Sequence, residues 1–190
     1  MKKRITRDSL SQQRDLIAGS VRAALFAALI TVGSYIVIPL PFSPVPIAMQ
    51  SGFVLLAGVI LSPRSAIASV ATYLFLGALG LPLFAGGTGG LGHILGPTGG
   101  YLVGYLPAVA LTSMLSGNSL GRYILAATVG TAVIYLCGVS RLGVTQGMSA
   151  AEAVSLGMIP FLLGDAIKIA AVSAVAETIR AAAPGVARES

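Results

Sequence analysis

The sequence predicts an all-α integral membrane protein, a single domain over residues 1–190 with six transmembrane helices and both termini in the cytoplasm. Three observations carry that reading. Only 9% of the 190 residues are charged, 55% are hydrophobic and the mean hydropathy is +0.90, whereas a soluble domain carries about 25% charged residues. The apolar residues fall into six runs, at about 16–38, 47–61, 65–80, 99–115, 123–140 and 159–183. The basic residues are also placed unevenly. With six crossings, Lys2, Lys3, Arg4, Arg7, Arg14, Arg22, Arg64, Arg122, Arg180 and Arg188 share the side of the termini. Only Arg141 falls in an opposite loop, and this bias puts both termini in the cytoplasm. The net charge of +6 therefore reports membrane orientation rather than nucleic-acid binding.

The chain opens on a polar, basic tail ending near Arg14. The first apolar run starts near Leu16 and is too long for the apolar core of a cleavable leader. Gly19, Ala23 and Ala27 follow one another at four-residue spacing, with Ser20, Ala24 and Ala28 beside them. Such a face lets another helix approach closely, whether from the same chain or from another subunit. Pro39, Pro41, Pro44 and Pro46 then forbid a helix. The second run has Gln50 near its start, and Ser62-Pro63-Arg64 turns the chain into the third. Gly100 and Gly104 in the fourth run have the spacing of a close helix contact, and Pro107 marks a kink. Arg141 to Met158 reads as a connector with one amphipathic turn, and Pro160 suits the first turn of the sixth run. The lone Cys137 permits no intramolecular disulfide, and no Cys/His cluster suits a metal.

Leu81 to Thr98 is unusual for its glycines. Gly87, Gly89 and Gly92 match G-x-G-x-x-G, but no strand precedes them and no acidic residue follows at the required distance, so a dinucleotide site is rejected. A glycine-rich apolar loop at a membrane face reads better as a lid, because glycine lets backbone amides approach a ligand. His93, the only histidine, is there either a loop residue bonded to backbone or a ligand contact.

Asp165 and Lys168 are the charges that no loop, tail or run end accommodates. Ionisable groups at membrane depth are costly and mark functional sites. On a helix the two heads share one face, about 4.5 Å apart along the axis. Entering from outside near Ile159, the helix places Asp165 roughly 9 Å deep and Lys168 roughly 13 Å deep, beneath the glycine-rich loop. The pair is either a self-neutralising buried ion pair or the core of a site for a small polar ligand with N–H donors and an anionic group. Catalysis fits poorly, since Gly138-Val139-Ser140-Arg141-Leu142-Gly143 misses the G-x-S-x-G spacing by one residue.

Four strings together resemble one family: Pro44-Val45-Pro46-Ile47-x-x-Gln50; Gly80-Leu81-Pro82-x-Phe84-Ala85-Gly86-Gly87-x-Gly89-Gly90-Leu91-Gly92; Gly96-Pro97-Thr98-Gly99-Gly100-Tyr101; and Pro160-Phe161-Leu162-x-Gly164-Asp165-x-x-Lys168. They look like BioY, the biotin-capturing S components of energy-coupling-factor (ECF) transporters, over about Ala23 to Ala176. The resemblance implies a six-helix S-component bundle in the cytoplasmic membrane, with biotin as transported ligand near the outer face and no cofactor. It further implies that Asp165 holds the ureido end and Lys168 the valerate carboxylate. The loop containing Gly86, Gly87, Gly89 and Gly90, together with Tyr101, closes over the bicyclic ring, and the matched strings add Phe84 and Gln50 to the binding set. His93 stands near where some members place an arginine for the carboxylate. Ala23, Ala24, Ala27 and Ala28 resemble the family's contact with a transmembrane coupling subunit, and ATPase subunits are implied because this chain has no nucleotide motif. Two rivals stay open on the sequence: a self-sufficient carrier, as a homo-oligomer with Asp165 as a proton site, and a small intramembrane enzyme.

Overall fold

A computed structural model describes residues 7–182. The terminal residues 1–6 and 183–190, including Lys2, Lys3, Arg4 and Arg188, lie outside the described residues. The fold is helical. In order come α1 (Arg7–Tyr35), a hairpin of β1 (Val37–Ile38) and β2 (Ile47–Ala48), α2 (Gln50–Ile60), α3 (Pro63–Ala78), α4 (Leu91–Leu95), α5 (Gly99–Leu115), α6 (Leu120–Gln146), α7 (Ala150–Gly157), a 3-10 turn (Ile159–Phe161) and α8 (Leu162–Ala182). The stretches Gln12–Tyr35, Leu120–Gln146 and Ala150–Ala182 are long and apolar enough to cross a membrane. Large apolar side chains such as Leu25, Leu136, Leu163 and Ile167 point outward, as lipid contact requires.

Three expectations change. α1 begins at Arg7, so Arg7 to Arg14 extends the helix rather than forming a free tail, and it ends at Tyr35 because the chain turns into β1. The four prolines are absorbed by an antiparallel hairpin pairing Val37 with Ala48 and Ile38 with Ile47, which satisfies backbone groups that a bare loop would leave open. The expected connector from Arg141 is mostly helix: α6 continues to Gln146, and α7 starts at a capping box between Ser149 and Glu152. Arg141 is thus a helical residue.

Close packing follows the glycines. α5 and α6 form the most extensive helix pair. A Cβ at Gly100 would lie 2.4 Å from the Cys137 carbonyl oxygen, and one at Gly104 would lie 2.9 Å from the Cys137 Cβ, so the predicted small-residue spacing is used within the chain. From the α6 side, a Cβ at Gly138 would fall 2.2 Å from the Tyr101 ring. That ring is fixed, since its hydroxyl donates to the Gly157 carbonyl at 2.7 Å.

The small-residue face of α1 is divided. Ala23 and Ala27 are buried where α1 packs on α2 and α3, whereas Ser20, Ala24 and Ala28 are exposed. The four alanines grouped by the sequence as one partner surface are therefore two surfaces, because adjacent helical positions point about 100° apart.

One end of the bundle gathers the Pro-rich hairpin, the glycine-rich segment and the 3-10 turn. Gly86 N–H donates to Ser34 O at the end of α1, Gly90 N–H to Gly77 O near the end of α3, and Ser43 Oγ to Leu156 O of α7. The expected consequence of the packing is testable. Gly138→Leu should lower stability by about 1–3 kcal/mol through overpacking against Tyr101, read as a lower thermal midpoint in detergent. Val144→Leu, at a position 82% exposed, should leave the midpoint unchanged.

Candidate ligand-binding site

A cavity of about 360 Å³ opens at that end, within the range of small-molecule sites. Pro44, Val45, Pro46 and Ala48 of the hairpin and Gln50, Ser51 and Leu55 of α2 form one side. Phe84, Ala85 and Thr88 of the glycine-rich segment, with His93, Pro97 and Thr98, form a second. Tyr101, Leu102 and Tyr105 of α5, Thr131, Ile134 and Tyr135 of α6, and Phe161 and Asp165 complete it. The wall is mostly apolar and aromatic, with, among the described residues, one carboxylate, one imidazole and no lysine or arginine.

Asp165 and Lys168 do form an ion pair, 2.9 Å between Nζ and Oδ1, with side chains 14% and 9% exposed. Lys168 also donates to the Ala48 carbonyl at 2.9 Å and to Ser51 Oγ at 3.0 Å. Its three N–H donors are all used, and it stands behind the cavity wall rather than on it. The sequence offers this ammonium to a ligand anion; in this structure its three bonds join Asp165 to the hairpin and α2. The other carboxylate oxygen accepts from the Tyr135 hydroxyl. Asp165 is thereby held in one orientation with part of its acceptor capacity left toward the cavity.

Gln50 lies on the wall and accepts from the Tyr73 hydroxyl at 2.8 Å. Phe84 is 2% exposed and meets Tyr73 edge-on at a centroid distance of 5.6 Å. Tyr101 lines the cavity, its hydroxyl anchored on the Gly157 carbonyl. His93 lines the cavity from α4 and packs edge-on to Phe84 at 6.5 Å. Gly86, Gly87, Gly89 and Gly90 do not line it. Gly86 and Gly87 have φ of 72° and 73°, the left-handed turn that aims Phe84, Ala85 and Thr88 inward.

Ser51, Tyr105 and Tyr135 were missed in the sequence. Tyr105 was findable, since it lies one helical turn after Tyr101. Ser51 was findable as the second residue of a polar pair opening an apolar run. Tyr135 carried no local signal, because its role depends on α6 packing beside α8.

The family model for the BioY family matches residues 1–185. The chain belongs to the BioY family. A probable biotin transporter BioY from Pyrococcus horikoshii is 41% identical over 157 residues, covering 83% of this chain and 93% of that one. The biotin transporter BioY of Thermotoga maritima is 37% identical over 158 residues, covering 82% and 92%. The crystal structure of the S component for biotin from an ECF-type ABC transporter superposes with a TM-score of 0.82 at 26% identity, covering 93% of this chain and 95% of that one. This BioY-family chain thus has an S-component membrane fold.

The ion pair gives a ligand-free test. Lys168→Met leaves Asp165 without its cation in a mostly buried setting, and should cost about 2–4 kcal/mol. Asp165→Asn/Lys168→Met should recover part of that loss. Thermal unfolding of the single and double variants measures the coupling, and strictly additive losses would mean that the pair contributes nothing.

Proposed function

We propose that this chain captures biotin at the outer face of the cytoplasmic membrane and serves as the substrate-binding subunit of an ECF-type transporter. The observation that carries the reading is the family match falling on a cavity whose single carboxylate, Asp165, is held ready among aromatic and apolar walls. Biotin fits that chemistry. Its ureido N–H groups suit a carboxylate acceptor, its bicyclic body suits Phe84 and Tyr101, and its carboxylate suits hydroxyl and imidazole donors such as Thr98 and His93. Lys168 supports Asp165 from behind and is a positioning residue. Binding and transport account for this site without a catalytic pair.

Six crossings, α1, α2, α3, α5, α6 and α8, put both termini on the cytoplasmic side. α2, with 11 residues, is only about 16 Å long, shorter than a hydrocarbon core of about 30 Å; its shortness is accommodated because its N-terminus lines the cavity. The Arg64 and Arg122 turns lie at the end away from the cavity, in keeping with a cytoplasmic position. ATP-driven uptake requires ATPase and coupling subunits. Ser20, Ala24 and Ala28, the exposed half of the α1 face, are where the coupling subunit docks.

Asp165→Asn turns an acceptor oxygen into a donor and should weaken biotin by roughly 2–4 kcal/mol, about 30- to 1000-fold, measured by equilibrium binding of labelled biotin. Lys168→Met should weaken biotin and biotin amide equally; a selective loss for the free acid would return Lys168 to the ligand carboxylate. For the partner surface, Ala24→Trp and Ala28→Trp should keep biotin affinity but abolish uptake and co-purification of an ATPase. Ala27→Trp should instead lower stability first. Intact uptake by well-expressed Ala24→Trp and Ala28→Trp would favour a carrier acting alone.

A further inference from the structure

The segment between α3 and α5 is held unevenly. Its first half, Leu81 to Gly90, is fastened to the bundle through a buried aromatic ring and several hydrogen bonds. Phe84 is in the core, and a Cβ at Gly77 would meet its ring at 2.3 Å. Gly86 and Gly90 donate to Ser34 and Gly77, and Tyr35 donates its hydroxyl to Pro82 O at 2.6 Å. The second half, α4, has no buried residue, and Leu91 and Leu95 are 63% and 65% exposed. Among the described residues, one hydrogen bond reaches α4 from another element: Arg141 Nη2 of α6 donates to the Leu95 carbonyl.

Arg141 gets there by a close path. Its stem crosses the start of α5, where a Cβ at Gly100 would strike the Arg141 Cβ at 2.4 Å and its Cγ at 3.1 Å. A guanidinium on the last carbonyl of a helix is a charge-assisted bond at the negative end of the helix dipole. Its Nε is buried without a partner in the same position. An unpaired buried donor opposes the gain from the Leu95 bond, so the arrangement holds α4 without locking it. α4 presents His93 to the cavity, and Pro97 and Thr98 follow directly.

We propose that Arg141 is a positioning residue, a latch that fixes α4 as the closing wall of the cavity, while the Leu81 to Gly90 half stays fixed. Arg141 does not line the cavity and acts on the ligand only through α4. As far as the ligand is named, the proposal rests on the biotin reading; the latch itself does not. α4 also packs through Ile94 and His93, but a short element with a single hydrogen bond from another element opens more often once that bond is removed.

Hydrogen exchange read by mass spectrometry, on the full chain in detergent without ligand, tests the latch directly. In Arg141→Met, amides over 92–99 should exchange roughly tenfold to a hundredfold faster, the effect of one charge-assisted bond, with 81–90 and the thermal midpoint unchanged. Arg141→Lys, which keeps a cation and a donor, should restore most of the protection. Rapid-mixing measurements with biotin should then show association and dissociation rates in Arg141→Met rising by similar factors, with little change in Kd. Unchanged exchange over 92–99 would overturn the latch, as would faster exchange across the whole bundle with a lower midpoint. A rise in dissociation rate alone would overturn it too, making Arg141 a ligand contact. Failure of the unmutated chain to bind biotin would sink the proposed ligand, and the exchange result would still decide the latch.

Discussion

The ion pair between Asp165 and Lys168 is the constraint around which the binding end is built. A carboxylate and an ammonium at this depth are tolerated only if their remaining hydrogen-bonding capacity is met. Meeting it draws in three other parts of the chain. The Ala48 carbonyl comes from the hairpin, Ser51 from the first turn of α2, and the Tyr135 hydroxyl from α6. The hairpin is therefore a polar socket as well as a way around four prolines. Lys168 gathers these elements from behind, and Asp165 presents the assembled result to the cavity. The two charges that the sequence shows as one pair have different duties.

The helical framework was largely legible because it rests on local causes. Apolar runs of membrane length, prolines that stop them and glycines at four-residue spacing leave their mark directly in the sequence. Boundaries slipped where a polar segment continued a helix, as at Arg7 to Arg14 and Arg141 to Gln146. Nothing in composition separates a solvated tail from the first turns of a long helix. The α1 face shows another limit. Spacing locates small residues, but which of two adjacent stripes is buried depends on how α1 is rotated against α3, a tertiary fact.

The site was legible in part. Gln50, Phe84, His93, Tyr101 and Asp165 all reach the cavity. The glycines were identified as important but act through the turn they make, not as wall. The protein partners of Lys168 were not legible for a physical reason: they include a backbone carbonyl 120 residues away, and no sequence pattern announces a carbonyl as an acceptor. Tyr135 escaped for the same reason, since its only mark is a place beside Asp165 that exists after folding.

Charge cancellation along α8 has an electrical consequence. Its described residues carry Asp165 with Lys168 and Glu177 with Arg180, two opposite pairs each closed within about one turn. A membrane potential does about 2.3 kcal/mol of work per 100 mV on each elementary charge carried across it. A helix whose charges travel as neutral pairs carries none. A rigid displacement of α8 along the membrane normal then moves no net side-chain charge of its described residues through the field, whereas a tilt still turns the helix dipole in it.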